Sequence, residues 1–66
     1  MEPYQQRVVD EHRDLRERLG KLASFMTTPI FVALPKDEQS RLIRQHSVMD
    51  EYDRILRERI AAFQSA

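Results

Sequence analysis

Apolar residues recur at helical spacing through two long stretches of the chain. In the first, Val8, Leu15, Leu19, Leu22 and Met26 stand three, four or seven positions apart, and His12 fills the gap between Val8 and Leu15. That alternation places one apolar stripe on a helix face. In the second, Leu42, Met49, Leu56 and Phe63 repeat every seventh residue. His46, Asp53 and Ile60 occupy the complementary positions of that stripe. The pattern predicts helices over about 3–26 and 36–63, roughly 35 and 43 Å long at 1.5 Å per residue.

Punctuation agrees with the periodicity. Pro3 suits a first helical turn, where the missing N–H costs nothing. Gly20 is the one weak point before Met26, at ~1 kcal/mol relative to alanine. Thr27-Thr28-Pro29 ends the first helix, because a residue before proline is pushed out of the helical region. The apolar run 30–34 has no second strand to pair with and reads as a loop or single turn. Its Ile30, Phe31 and Leu34 are expected to cap one end of the core. Pro35 opens the second helix, and Asp37 and Glu38 favour the positive end of its dipole. A short connection makes the helices antiparallel neighbours. The expected fold is therefore all-α, one antiparallel two-helix hairpin filling the single domain 1–66.

A hairpin of this size buries too little on one seam to stand alone. Small scaffolds recover the deficit with disulfides, metals or oligomerisation. The chain has no cysteine, which leaves oligomerisation as the leading choice and fits a cytosolic protein. Val9, Phe25, Ile43, Tyr52 and Ile55 flank the seams and call for a second apolar partner, such as another copy. No apolar run approaches the ~18–20 residues of a membrane span, and Met1-Glu2-Pro3-Tyr4 does not read as a signal peptide.

Charge then narrows the function classes. Eleven basic residues balance eleven acidic ones, without the basic excess of a duplex-DNA binder. Acid-first pairs four residues apart, Asp14/Arg18, Glu17/Lys21, Asp50/Arg54 and Asp53/Arg57, suit solvated helix faces. Nine of the cations are arginines, a residue fitted to bidentate contacts with carboxylate or phosphate.

Catalytic signatures are weak. The antiparallel arrangement allows His12 and His46 similar heights, with Glu11, Asp50 and Asp53 in reach, which frames a metal-assisted hydrolase as one alternative. No EXXH or HXXXH spacing supports it, and core or interface histidines are the plainer reading. Ser24, Ser40, Ser47 and Ser65 lack a nucleophile elbow, and one glycine makes no phosphate loop. The expectation is a non-enzymatic binding module without metal or cofactor. Tyr4 beside Arg7, and Tyr52 near Arg41, Arg44 and Arg59, offer rings for base stacking and cations for phosphate. The plain alternative makes both rings packing residues and the chain a coiled-coil module docking a host or phage protein.

One resemblance sharpens this. The run Pro3-Tyr4-Gln5-Gln6-Arg7-Val8-Val9-Asp10-Glu11, then Leu15, Leu19, Lys21-Leu22 and Phe25, is similar to the phage-encoded anti-CBASS cyclic-oligonucleotide sponges. So is the second half, Leu42, Gln45, Met49, Tyr52, Ile55-Leu56 and Arg59-Ile60. The resemblance implies helical hairpins assembled as homohexamers. It implies binding of cyclic dinucleotides, and in some members cyclic trinucleotides at separate sites, without cleavage. Sequestering these messengers in the cytoplasm of the infected bacterium keeps the CBASS effector unactivated. Carried onto this chain, the resemblance makes Tyr4 the base-stacking ring and Lys21 the phosphate contact, with Arg7 as a second cation. Arg18 lies one helical turn from Lys21 as the alternative. Arg44, Arg54 and Arg59 are the candidates for a trinucleotide site.

Overall fold

The computed structural model describes residues 1–63. Three helices follow in order: α1, Pro3–Phe25; α2, Pro29–Ala33; and α3, Lys36–Phe63. Glu2 precedes α1 in extended conformation, with Pro3 in the first turn. The Gln5 side chain accepts a 2.9 Å hydrogen bond from the Glu2 backbone N–H, satisfying a donor that a helix start leaves free.

The segment expected as a loop or single turn is a five-residue helix. The two prolines delimit it. Thr28 and Leu34, each before a proline, are both extended, with ψ of 157° and 153°, as that position demands. Thr28 caps α2, its hydroxyl accepting from the Phe31 N–H at 3.4 Å and donating to the Phe25 carbonyl at 2.7 Å. Gln39 then ties the turn to α3 by donating to the carbonyls of Val32 and Leu34, at 3.0 and 2.8 Å. Of the three residues expected to cap the core here, Phe31 is buried, Leu34 half-buried and Ile30 exposed. Phe31 meets Phe25 edge-on, with ring centroids 6.2 Å apart. Neighbouring positions of a helix point about 100° apart, so with Phe31 turned inward Ile30 and Val32 face out.

α1 and α3 run antiparallel. Tyr4, at the start of α1, packs edge-on against Phe63, at the end of α3, at 5.8 Å between centroids. His12 lies across from Asp53. The core is one seam: Val8, Leu15 and Leu56 are buried, with Met49, Ile60 and Phe63 packed against them. Leu56 is fully enclosed. Every seam position read from the heptad pattern is buried or half-buried, and the flanking Ile43, Tyr52 and Ile55 remain exposed.

A single seam leaves much surface in water. The chain exposes 5079 Å², about 15% more than the roughly 4,400 Å² of a compact monomer of its mass. Its extents of 48 × 15 × 14 Å give the reason. A rod two helices thick has no interior beyond the line where the helices touch.

Two stability changes follow. Leu56→Ala removes the one fully enclosed side chain and is expected to cost about 2–5 kcal/mol in urea unfolding followed by circular dichroism. A change under 0.5 kcal/mol would place the core elsewhere. A Cβ added at Gly20 meets nothing within 4 Å. Gly20→Ala should therefore raise stability by ~0.5–1 kcal/mol in the same assay.

Candidate functional site

The seam carries one charged residue that the described chain buries, Asp53. Its Oδ2 meets the Nε of Arg57 at 3.0 Å, the acid-first pair expected within α3. Its Oδ1 lies 2.8 Å from His12 Nε2 across the interface. That second contact is close but poorly aligned as a hydrogen bond, and neither atom has another hydrogen-bond partner. The two are set together by proximity across the seam more than by N–H direction. A buried polar pair of this kind fixes which residues of two helices stand opposite each other.

The same register corrects the placement of the histidines. With His12 opposite Asp53, His46 stands seven residues, about 10 Å, further along α3. The two imidazoles are not at one height. Among the described residues, no group of three or more His, Cys, Asp or Glu is placed to hold a metal ion.

Two grooves open on the surface. The larger, about 510 Å³, lies between the long helices. Arg7, Asp10, Glu11, Asp14 and Arg18 of α1 form one wall, Tyr52 of α3 the other, and Leu15 shows at the floor. The second, about 370 Å³, belongs to α3 alone, with Arg41, Arg44 and Gln45 beside Val48 and Met49. Helical spacing explains both. Tyr4, Arg7, Glu11, Asp14, Arg18 and Lys21 follow one another at steps of three and four along α1. Arg41, Gln45, Val48, Tyr52, Ile55 and Arg59 do the same along α3. Each is a stripe beside the core seam. Because Arg7, Glu11, Asp14 and Arg18 share a groove with Tyr52, the two stripes lie on one side of the helix pair.

Most of the expected ligand residues share that side. Tyr4 is half exposed, so its ring remains accessible for stacking although its neighbour Phe63 holds it. Arg7 lines the large groove and Arg44 the smaller. Lys21 pairs with Glu17 at 3.3 Å and is otherwise in solvent. Arg59 falls on the α3 stripe. Arg54 does not. It points away from the stripe by the same spacing and pairs with Glu51 at 3.2 Å, not with Asp50. The other expected surface pair also differs, since Asp14 lies 4.0 Å from the Nε of its neighbour Arg13 and is not paired with Arg18.

Distance separates the two principal residues. Tyr4 and Lys21 are seventeen residues apart on one straight helix, about 25 Å. One chain cannot bring both to a single small ligand. The large groove is also unbalanced, with two guanidiniums against three carboxylates. By itself it does not favour an anion. Tyr52, Arg18, Glu11 and Asp14 are the groove residues that the two-helix reading did not bring together. The second stripe of three-and-four spacing was the signal for them.

The fold defines a class: a small all-helical protein with one narrow core seam and polar grooves along its surface. The Sequestin family model matches residues 2–62 of the chain, and the chain belongs to that family. No curated protein matches it. No solved structure matches it either.

The Asp53 contact has a measurable consequence. Asp53→Asn leaves His12 facing a neutral amide and should cost roughly 1–3 kcal/mol. Replacing His12 and Asp53 together by leucine should recover most of that loss, since a buried polar pair is seldom more stabilising than apolar residues of similar size. Equal losses in the single and double variants would show that the pair does not act across the interface.

Proposed function

We propose that this chain is a phage anti-defence protein that binds cyclic oligonucleotide messengers and withholds them, uncleaved, from CBASS immunity. Cyclic dinucleotides are its principal ligands, with cyclic trinucleotides as a second class. It acts by affinity and stoichiometry in the cytoplasm of the infected bacterium, as a homo-oligomer, a hexamer by the family resemblance, and needs no metal or cofactor. The observation that carries this reading is the Sequestin match over nearly the whole chain, a family whose name denotes sequestration.

The geometry supports it in three ways. Tyr4 presents an accessible ring, and base–aromatic stacking contributes ~1–3 kcal/mol per base in single-strand complexes. Lys21 and Arg7 stand on the same side of the helix as that ring, where cations meet phosphate. The 25 Å between Tyr4 and Lys21 matches a pocket completed by a second copy, whose Lys21 or Arg18 takes the place its own chain cannot reach. Arg44 and Arg59 lie on the neighbouring α3 stripe and remain candidates for the trinucleotide; Arg54, on the far side, would act only through another interface. No helix among the described residues is long and apolar enough to cross a membrane.

The test is a thermal-shift screen against cyclic di- and trinucleotides, followed by titration calorimetry. At a free ligand concentration 100 times Kd, binding should add about 2.7 kcal/mol to stability. Tyr4→Ala should weaken the affinity roughly five- to 150-fold without changing the oligomer. No shift with any cyclic nucleotide would remove the proposal. Stoichiometric capture of one protein partner by a nucleotide-insensitive chain would favour the coiled-coil docking module instead.

A further inference from the structure

Phe63 closes the heptad stripe of α3, one repeat beyond Leu56. The core seam fixes it there. It is half-buried and packs on the cluster of Val8, Leu15 and Leu56. Tyr4 lies one helical turn before Val8, in the first turn of α1. A first turn lacks some of the bonds that hold a helix interior, and helix ends open at little cost. Here the backbone is closed by the Gln6 N–H on the Glu2 carbonyl at 3.1 Å and by the Glu2 N–H on Gln5 at 2.9 Å. Those bonds leave the Tyr4 side chain free to rotate. Its ring is held separately, by Phe63.

The form of that contact bears on stacking. The ring centroids lie 5.8 Å apart and the planes meet at 84°, the edge-to-face arrangement that aromatic pairs prefer. Perpendicular rings cover at most one face of each other, so Tyr4 keeps at least one flat face clear of Phe63. Tyr4 is still 51% exposed. A half-exposed ring without a neighbour would turn among its rotamers and lose that freedom on binding. Phe63 orders the ring before a ligand arrives.

We propose that Phe63 is a positioning residue for the base-stacking site. Its ring, anchored by the end of the core seam, holds Tyr4 in one orientation with a face open to a nucleobase. Phe63 itself need not touch the ligand. The proposal rests on the proposed function for what Tyr4 stacks on; the holding of the ring stands apart from it.

The experiment has a nucleotide-free arm and a binding arm. In the first, NMR follows the ring resonances of Tyr4 in tyrosine-labelled chain, identified by their loss in Tyr4→Phe. The Phe63 ring should displace them from free tyrosine, and Phe63→Leu should return them toward it. Unmoved resonances overturn the holding. In the second, calorimetry measures affinity for cyclic di-AMP, cyclic di-GMP and cyclic GMP–AMP. Phe63→Leu, which keeps the seam apolar, should weaken binding about two- to tenfold. Phe63→Tyr retains a ring and should bind within about twofold of wild type. Ile60→Val, at the same end of the seam, should lower stability and leave affinity within about twofold. Because Phe63 acts through Tyr4, adding Phe63→Leu to Tyr4→Ala should weaken binding no further. Wild-type affinity in Phe63→Leu overturns the positioning role, as does an equal loss with Tyr4 absent or an equal loss in Ile60→Val. A wild-type chain that binds none of the three nucleotides refutes the proposed function and the link to a base, while the nucleotide-free resonances still decide whether Phe63 holds the ring.

Discussion

The molecule depends on one line of contact. α1 and α3 touch along a seam in which Val8, Leu15 and Leu56 are buried and only Leu56 is fully enclosed. Two helices of about ten ångström diameter side by side have no second layer. Every other side chain of the long helices must therefore face water or another molecule. That constraint leaves both flanks of the rod available at once. It also links stability to association, since an apolar stripe left in water on a narrow core is surface that a partner can cover.

Within that seam, Asp53 sets position rather than strength. Packing of leucine and valine alone tolerates a slip along the rod, whereas a buried carboxylate facing His12 at 2.8 Å across the seam fits one register. A slipped pairing would take that carboxylate away from His12 and leave it only Arg57 of its own helix, which costs more than an imperfect apolar contact. The register in turn decides what the surface looks like. It brings Tyr52 beside Arg7, Glu11, Asp14 and Arg18 to form the large groove.

Much of this was legible in the sequence. The long helices begin and end within a residue of the positions that Pro3, the Thr27-Thr28-Pro29 stop and Pro35 imply. The core positions follow because a heptad stripe admits only one inward face. The short helix α2 was less legible, since five residues carry no periodicity, and the cap from Thr28 and the tie from Gln39 are contacts of tertiary structure. The histidine heights were misjudged because counting from the turn ignores the residues that α2 takes up; only the His12–Asp53 contact fixes the offset. Surface ion pairs were half legible. Glu17–Lys21 and Asp53–Arg57 form as spacing suggests, while Arg54 turns to Glu51, because several acids compete for each exposed arginine at nearly equal energy. The candidate ligand residues were legible as residue types on a family pattern, and their common side became visible only once the second stripe was seen to meet Tyr52.

Sequestration asks little of a fold beyond affinity, and this chain is suited to that task. Its exposed rings and cations are spread along one side, with Tyr4 and Lys21 too far apart to serve one ligand within one chain. In the proposed assembly a second copy supplies the group that this distance denies to one chain. The most direct measurement is native mass spectrometry of the protein incubated with a cyclic dinucleotide, followed by denaturation and recovery of the nucleotide. The account predicts a multimer of the 7.9 kDa chain carrying a whole number of nucleotides that are released chemically intact. Single chains, an assembly that retains no nucleotide, or release of a linearised product would each contradict it.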